Sequence, residues 1–249
     1  MREVTTILPF YCQPLMLREQ FKEIRGAWSK EIQRRWHLVI VDDASPKWGF
    51  GMKLHNNDGS PTRNHPIGGT PRLVDVQALR IANDIPWNVE GARNIGVYYA
   101  RTEWVLLTAI DHIVPAATAA SLLDGDFDPN RVYEFPRYDY DTGAEKPPHP
   151  GSLFLTRKTW EKIGGCDERL AGVYGGAEEF RGRAVSRTGP ILLAPKPLAW
   201  ASQRVPKDAE APRVQRISRE NTAALKKVLA EIAKDSGPRR FTFEYKRIM

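Results

Sequence analysis

The sequence predicts an α/β protein built on a mostly parallel sheet with helices on both faces. Three observations predict it. Apolar strand-like runs alternate with helical stretches along the first 115 residues, the runs end in polar turns, and 249 residues with 41% hydrophobic content can bury one substantial core. Polar turns at the carboxyl ends of strands are where open α/β sheets place their ligands.

Val4 to Phe10 reads as a buried strand, and Leu17, Phe21, Ile24 and Trp28 recur at helical spacing, so Leu17 to Trp28 reads as an amphipathic helix. A second strand, His37 to Val41, runs into the polar turn Asp42-Asp43-Ala44-Ser45-Pro46. Residues 46–71, rich in Gly, Pro, Asn and His, form the longest irregular stretch. Leu73 to Ile81 reads as a short strand and Asn88 to Ala100 as a helix that opens on Glu90-Gly91-Ala92-Arg93-Asn94. Trp104 to Thr108 is then a buried strand, broken at Ala109-Ile110-Asp111-His112 and closed by Pro115.

In the second half, Arg131 to Pro136, Ser152 to Thr156 and Pro190 to Ala194 read as strands. Arg157 to Ile163 is a short helix stopped by Gly164-Gly165, and the loop Val173 to Phe180 leads into another helix. Ser218 to Lys234 is a late helix, with Ser218 as its cap, Leu225, Val228, Leu229 and Ile232 as its apolar stripe and Gly237 as its stop.

Composition narrows the function classes. No apolar run approaches the roughly 18 residues a membrane span requires, and the N-terminus has no secretory pattern, so the expectation is a cytoplasmic protein. Cys12 and Cys166 lie too far apart in sequence for a disulfide framework or a CxxC metal knuckle. The formal charge of +7 sits mostly in residues 204–249, where 12 Lys/Arg face 6 Asp/Glu, leaving the body nearly neutral. Such a tail is either a solvated helix face or a surface for a polyanion.

Three acidic clusters follow one another at strand ends and loops: Asp42-Asp43, Asp111-His112 and Glu178-Glu179. With their flanks they resemble the family 2 glycosyltransferases of the GT-A fold, which move a sugar from a nucleoside-diphosphate donor to an acceptor. The matching segments, spread over roughly residues 3–185, are Leu8-Pro9-Phe10-Tyr11, Val41 to Ser45, Gly91 to Gly96, Leu106 to Pro115, Gly164 to Glu168 and Tyr174 to Glu179.

The resemblance implies a GT-A domain over residues 1–203, with a nucleotide-binding half (1–115) and an acceptor half (116–203), followed by a basic C-terminal extension (204–249) carrying one helix. It implies a UDP-sugar donor, with Asp42 and Asp43 at the base, Asp43 accepting the uracil N3–H, and Pro9, Phe10 and Tyr11 lining the pocket. Arg93 would meet a phosphate and Asn94 a ribose, unless the two are a structural helix-start pair. Asp111 takes the last position of the family's Asp-x-Asp motif, which holds Mn²⁺ or Mg²⁺ against the diphosphate, with His112 as a further ligand or a packed side chain. Ala109 stands where the motif's first carboxylate belongs and can ligate nothing.

Glu178 or Glu179 falls at the catalytic base of an inverting single displacement, with Glu178 favoured and Glu179 orienting the helix start. Arg204 or Lys207 offers a fixed positive charge to the diphosphate. His149 reads as a loop histidine or an acceptor-side group. The acceptor is read as a glycan or as DNA with a hydroxylated base, the latter contacted by Arg213, Arg216, Arg219, Lys226 and Lys227. Two other readings remain: a non-catalytic nucleotide-sugar or glycan-binding module of the same fold, favoured by Ala109, and a nucleotidyltransferase. The latter needs a Gly-rich phosphate loop after the first strand, and Leu8 to Pro14 is not one.

Overall fold

The computed structural model describes residues 1–45, 73–85, 88–201, 223–234, 237–238 and 240–247. The stretch 46–71, Ser218 and the tail residues Arg204, Lys207, Arg213, Arg216 and Arg219 lie outside them. In chain order the elements are β1 (Val4–Phe10), α1 (Pro14–Ala27), α2 (Lys30–Arg34), β2 (Trp36–Asp42), β3 (Asp75–Ile81), α3 (Val89–Tyr99), β4 (Trp104–Leu107), β5 (His112–Ile113) and α4 (Ala116–Asp124). There follow β6 (Tyr133–Glu134), β7 (Arg137–Asp139), β8 (Glu145–Lys146), β9 (Leu153–Thr156), α5 (Arg157–Ile163), α6 (Gly176–Thr188), β10 (Leu192–Leu193), β11 (Leu198–Trp200) and β12 (Tyr245–Arg247). Residues 223–232 are helical as well.

The main sheet has the order β10-β6-β9-β4-β1-β2-β3-β12, and β9 and β12 run against the other six. The chain steps outward from β1 through β2 to β3, then returns to place β4 on the other side of β1. That reversal makes a topological switch point at the carboxyl ends of β1 and β4, the place where open α/β sheets bind their ligands.

Strand alternation sorts the core onto two faces. Val4, Leu8 and Phe10 of β1 join Leu17 and Phe21 of α1, Trp28 just after it and Leu122 of α4, whereas Ile7 joins Ile95 of α3, Trp160 of α5 and Phe180 of α6. Helix α3 lies tight on β1 because Gly96 has no side chain: a Cβ there would come within 2.2 Å of Ile7 Cγ2. Asn88 caps α3, its side chain accepting from the Gly91 N–H. Helix α5 ends as the sequence predicts, on Gly164 at φ +95°, whose N–H returns to the Trp160 carbonyl.

A second sheet, β5-β11-β7-β8, stands beside the switch point. The C-terminal residues return to the main body. β12 pairs antiparallel with β3, and the Glu168 carboxylate accepts from the backbone N–H groups of Phe241 and Thr242. Residues 245–247 thus complete the sheet edge that the N-terminal half leaves open. The late helix lays Leu225 against Gly175, at the entrance to α6, while Lys226 and Lys227 are exposed. No helix among the described residues is long and apolar enough to cross a membrane.

Candidate active site

The carboxyl ends of β1 and β2 are tied into one corner. Cys12 and Ala44 hold left-handed backbone at φ +49° and +53°, conformations that cost on the order of 1–3 kcal/mol each and concentrate at functional sites. The corner is locked by the Asp43 N–H on the Phe10 carbonyl (2.8 Å) and the Cys12 N–H on Ser45 Oγ (3.0 Å). Asp42 faces inward: its carboxylate accepts from Arg80 Nη1 (2.6 Å) and from the Ser45 N–H (2.9 Å), so it braces the turn instead of reaching a nucleotide. Asp43 Oδ2 accepts from the Asn88 N–H (3.0 Å), linking this corner to the start of α3. Of the three pocket residues expected at the end of β1, Phe10 is buried in the core, whereas Pro9 and Tyr11 are partly exposed. The period of two explains the correction, since Phe10 shares the face of Leu8.

After β4 the chain turns through Ala109 to His112. Gln20 of α1 pins this turn, donating to the carbonyls of Ile110 and His112 (3.1 and 2.6 Å). The small sheet sets Trp200 opposite His112 and brings Arg137 alongside on β7. Asp111 accepts from His112 Nδ1 (2.8 Å) and Trp200 Nε1 (3.0 Å), and His112 Nε2 lies 2.9 Å from Arg137 Nη1. An arginine only donates, so His112 Nε2 accepts and its proton sits on Nδ1, toward Asp111. Burial works to raise the Asp111 carboxyl, but the hydrogen bonds from His112 and Trp200 outweigh it and hold it below the usual carboxylate range.

His149 packs its ring 4.7 Å from that of His112 and accepts from Ser152 Oγ and the Gly151 N–H, each at 3.3 Å. Burial first, then His112 and Arg93, push its pKa down to about 3, so it is neutral at physiological pH. Arg93 reaches this group from α3, donating Nη2 to the Gly151 carbonyl (2.9 Å).

Asn94, one residue on, is a bracket. Its amide donates both N–H groups, to the Cys166 carbonyl and Glu168 Oε1, and accepts from the Cys166 N–H, so it ties α3 to the turn before Glu168 in the manner of a structural helix-start residue. The Cys166 thiol is pushed up to about 12 by burial and is inert.

Glu178 and Glu179 stand in the first turn of α6, not in a loop. Glu179 is clasped by Arg183, at 2.5 Å to Nε and 2.7 Å to Nη2, and Arg183 also donates to the Ile163 carbonyl. Glu179 therefore ties α6 to α5. Glu178 is exposed and has no hydrogen-bonding or ion-pair partner among the described residues. An acidic side chain in a first turn is favoured by the helix dipole.

Sequence reasoning passed over Glu90 and Arg137. Glu90 lies beneath Gly176, where a Cβ would come within 2.0 Å of Glu90 Oε1, and its Oε2 has no hydrogen-bond partner among the described residues. Burial, with smaller contributions from Asp43 and Glu179, raises its pKa to about 8 against the opposing Arg93 charge. A lone Glu in a helix's first turn carries no sequence signal beyond helix initiation, and Arg137 lay just past a strand of unremarkable pattern.

No group of three His, Cys, Asp or Glu side chains among the described residues is arranged to hold a metal ion, and Ala109 supplies no ligand. Both Asp111 oxygens already accept hydrogen bonds, and both His112 nitrogens are engaged, one by a guanidinium. A divalent cation would have one carboxylate as its protein ligand and Arg137 as its neighbour, an unfavourable Coulomb arrangement. By themselves the described residues, Asp111 and His112 included, do not fit a divalent-cation site.

No protein-family model and no curated protein matches the chain. Its backbone is similar to that of S. aureus TarS 1-349 in complex with UDP-GlcNAc, with TM-score 0.62 and 13% identity over 94% of this chain and 67% of that one. It is also similar to the Pyrobaculum calidifontis mannosyltransferase PcManGT in complex with GDP-Man and Mn²⁺, with TM-score 0.53 and 18% identity over 96% of this chain and 66% of that one. GalNAc-T7 with UDP, GalNAc and Mn²⁺ gives TM-score 0.57 and 14% identity over 80% and 44% of the two chains. The chain thus spans about two thirds or less of these neighbours and has the GT-A glycosyltransferase fold, as its sequence predicts.

Proposed function

We propose that the chain transfers a sugar from a nucleoside-diphosphate donor to an acceptor hydroxyl, with inversion at the anomeric carbon. The observation that supports this reading is the topological switch point at the carboxyl ends of β1 and β4. At the switch point β2 and α3 present Asp43 and Arg93, the turn after β4 presents Asp111, and α6 opens on an exposed Glu178. UDP- and GDP-sugars bound to the neighbours TarS and PcManGT support the donor class.

Each group has a task in that reaction. Asp43 accepts from the base, and a uracil N3–H is the donor suited to it, with Tyr11 as the aromatic surface. Glu178 takes the proton of the acceptor hydroxyl as its oxygen bonds to the anomeric carbon. The bond from that carbon to the phosphate oxygen breaks, and the nucleoside diphosphate leaves with the electron pair. One base suffices, because no covalent sugar intermediate forms.

A panel of UDP- and GDP-sugars, scored for nucleoside diphosphate release and for mass gain of an acceptor, tests the reading. Release from one donor is the expected result. Donor binding without release under any acceptor favours the non-catalytic module, whose mark in the sequence is Ala109. For the base pocket, Asp43→Asn keeps an acceptor for the Asn88 N–H but removes the charge. It is expected to weaken UDP binding by about 1–3 kcal/mol in calorimetry. Equal affinity for UDP, GDP and CDP, unchanged in the variant, removes Asp43 from the pocket.

A further inference from the structure

We infer that the donor's diphosphate is held, and its growing negative charge neutralised, by the guanidinium groups of Arg93 and Arg137 in place of a divalent cation. The inference rests on the sugar-transfer reading above and names the residues that take the cation's part.

Arg93 is 5% exposed, yet its Nε has no hydrogen-bond partner among the described residues. A buried cationic donor left idle is costly, and an anion bound beside it removes the cost. Gly151 makes room for this guanidinium, since a Cβ at that position would lie 2.2 Å from Arg93 Nη2. Arg137 enters from β7, with Nε on the Pro147 carbonyl (2.6 Å) and Nη1 on His112 Nε2 (2.9 Å), and its Nη2 makes no hydrogen bond among the described residues. Both arginines lie beside His149: its ring comes within 3.1 Å of the Gly151 Cβ position that Arg93 crowds and is 4.7 Å from the His112 ring that Arg137 bonds, and both charges act on it.

Asp111 acquires a role in this arrangement without touching a metal. It fixes the His112 proton on Nδ1, which turns Nε2 into an acceptor that aims Arg137. Asp111 and His112 are thus positioning residues. Planar guanidinium forks pair with phosphate oxygens through two parallel bonds, and fixed positive charges aimed at a departing diphosphate stabilise it as it forms. The missing carboxylate at Ala109 then has a consequence: a second acid would draw on the same guanidinium that the diphosphate needs.

Calorimetry with inorganic pyrophosphate, UDP and uridine, in EDTA and in Mn²⁺, tests the inference, together with electron paramagnetic resonance of Mn²⁺ mixed with the protein. Pyrophosphate and UDP are expected to bind in EDTA as tightly as in Mn²⁺, and the resonance signal to remain that of free Mn²⁺. Arg137→Met is expected to weaken both ligands about tenfold or more and to leave uridine binding unchanged. Gly151→Ala, which pushes Arg93 aside without removing a charge, is expected to act likewise, so one misfolded variant leaves the other decisive. UDP binding that requires Mn²⁺, or variants that bind pyrophosphate as the parent does, overturns the inference while the sugar-transfer reading stands. Failure to bind any nucleotide or nucleotide-sugar in either condition overturns both.

Discussion

Glu178→Gln is expected to lower turnover by roughly 10²–10⁴ while leaving donor affinity intact, because the amide keeps the size of the side chain and cannot accept the acceptor's proton. The neighbouring residue separates chemistry from stability. Glu179 has both oxygens on Arg183, which in turn holds the Ile163 carbonyl. Glu179→Gln is therefore expected to cost about 1–3 kcal/mol in urea unfolding, with turnover changed much less. Steady-state kinetics and unfolding curves on the two variants decide the matter. A crippled Glu179→Gln with normal stability, beside a mild Glu178→Gln, reverses the assignment and leaves the single displacement standing.

That comparison also shows what the sequence could and could not reveal. Adjacent glutamates look alike in a string. The distinction comes from Arg183, one helical turn on, and from the Ile163 carbonyl at the end of a different helix. The long elements were legible because their apolar periodicity is set locally: β1, β2, α1, α3 and α5 all stand where strand or helix spacing puts them. The small sheet was not, since β5, β7, β8 and β11 are two or three residues each, too short to show a period. Helix α4 escaped as well, because Ala116 to Leu123 is small or apolar on every side and marks no stripe. Yet that small sheet places Trp200, His112 and Arg137 around Asp111, so the guanidinium proposed to meet the diphosphate was hidden in the least periodic elements. The C-terminal strand was hidden for another reason. Tyr245–Arg247 becomes a strand by completing the β3 edge, a long-range fact its own residues do not encode.

Glu90 carries the second large effect, and its sign follows from its surroundings. Its carboxyl is raised from the ordinary 4.5 to about 8, chiefly by burial under Gly176. A carboxyl raised on folding holds its proton in the native state over a range where the unfolded chain has lost it. Its contribution to stability is therefore complete below about pH 4.5 and is lost as pH rises through about 8. At roughly 1.36 kcal/mol per unit, the loss is on the order of 4 kcal/mol by pH 8 to 9. Glutamine has nearly the same shape and no charge to desolvate. Urea unfolding from pH 5 to 9 is expected to show the parent losing stability relative to Glu90→Gln, with the gap opening steadily toward alkaline pH. The other titrating groups are common to both proteins and cancel in the difference. Parallel curves would mean that Glu90 is ionised in the folded protein and balanced by Arg93, the nearest opposing charge. The predicted divergence means instead that the Arg93 charge is not consumed by Glu90 at neutral pH, and so remains for an anion at the switch point.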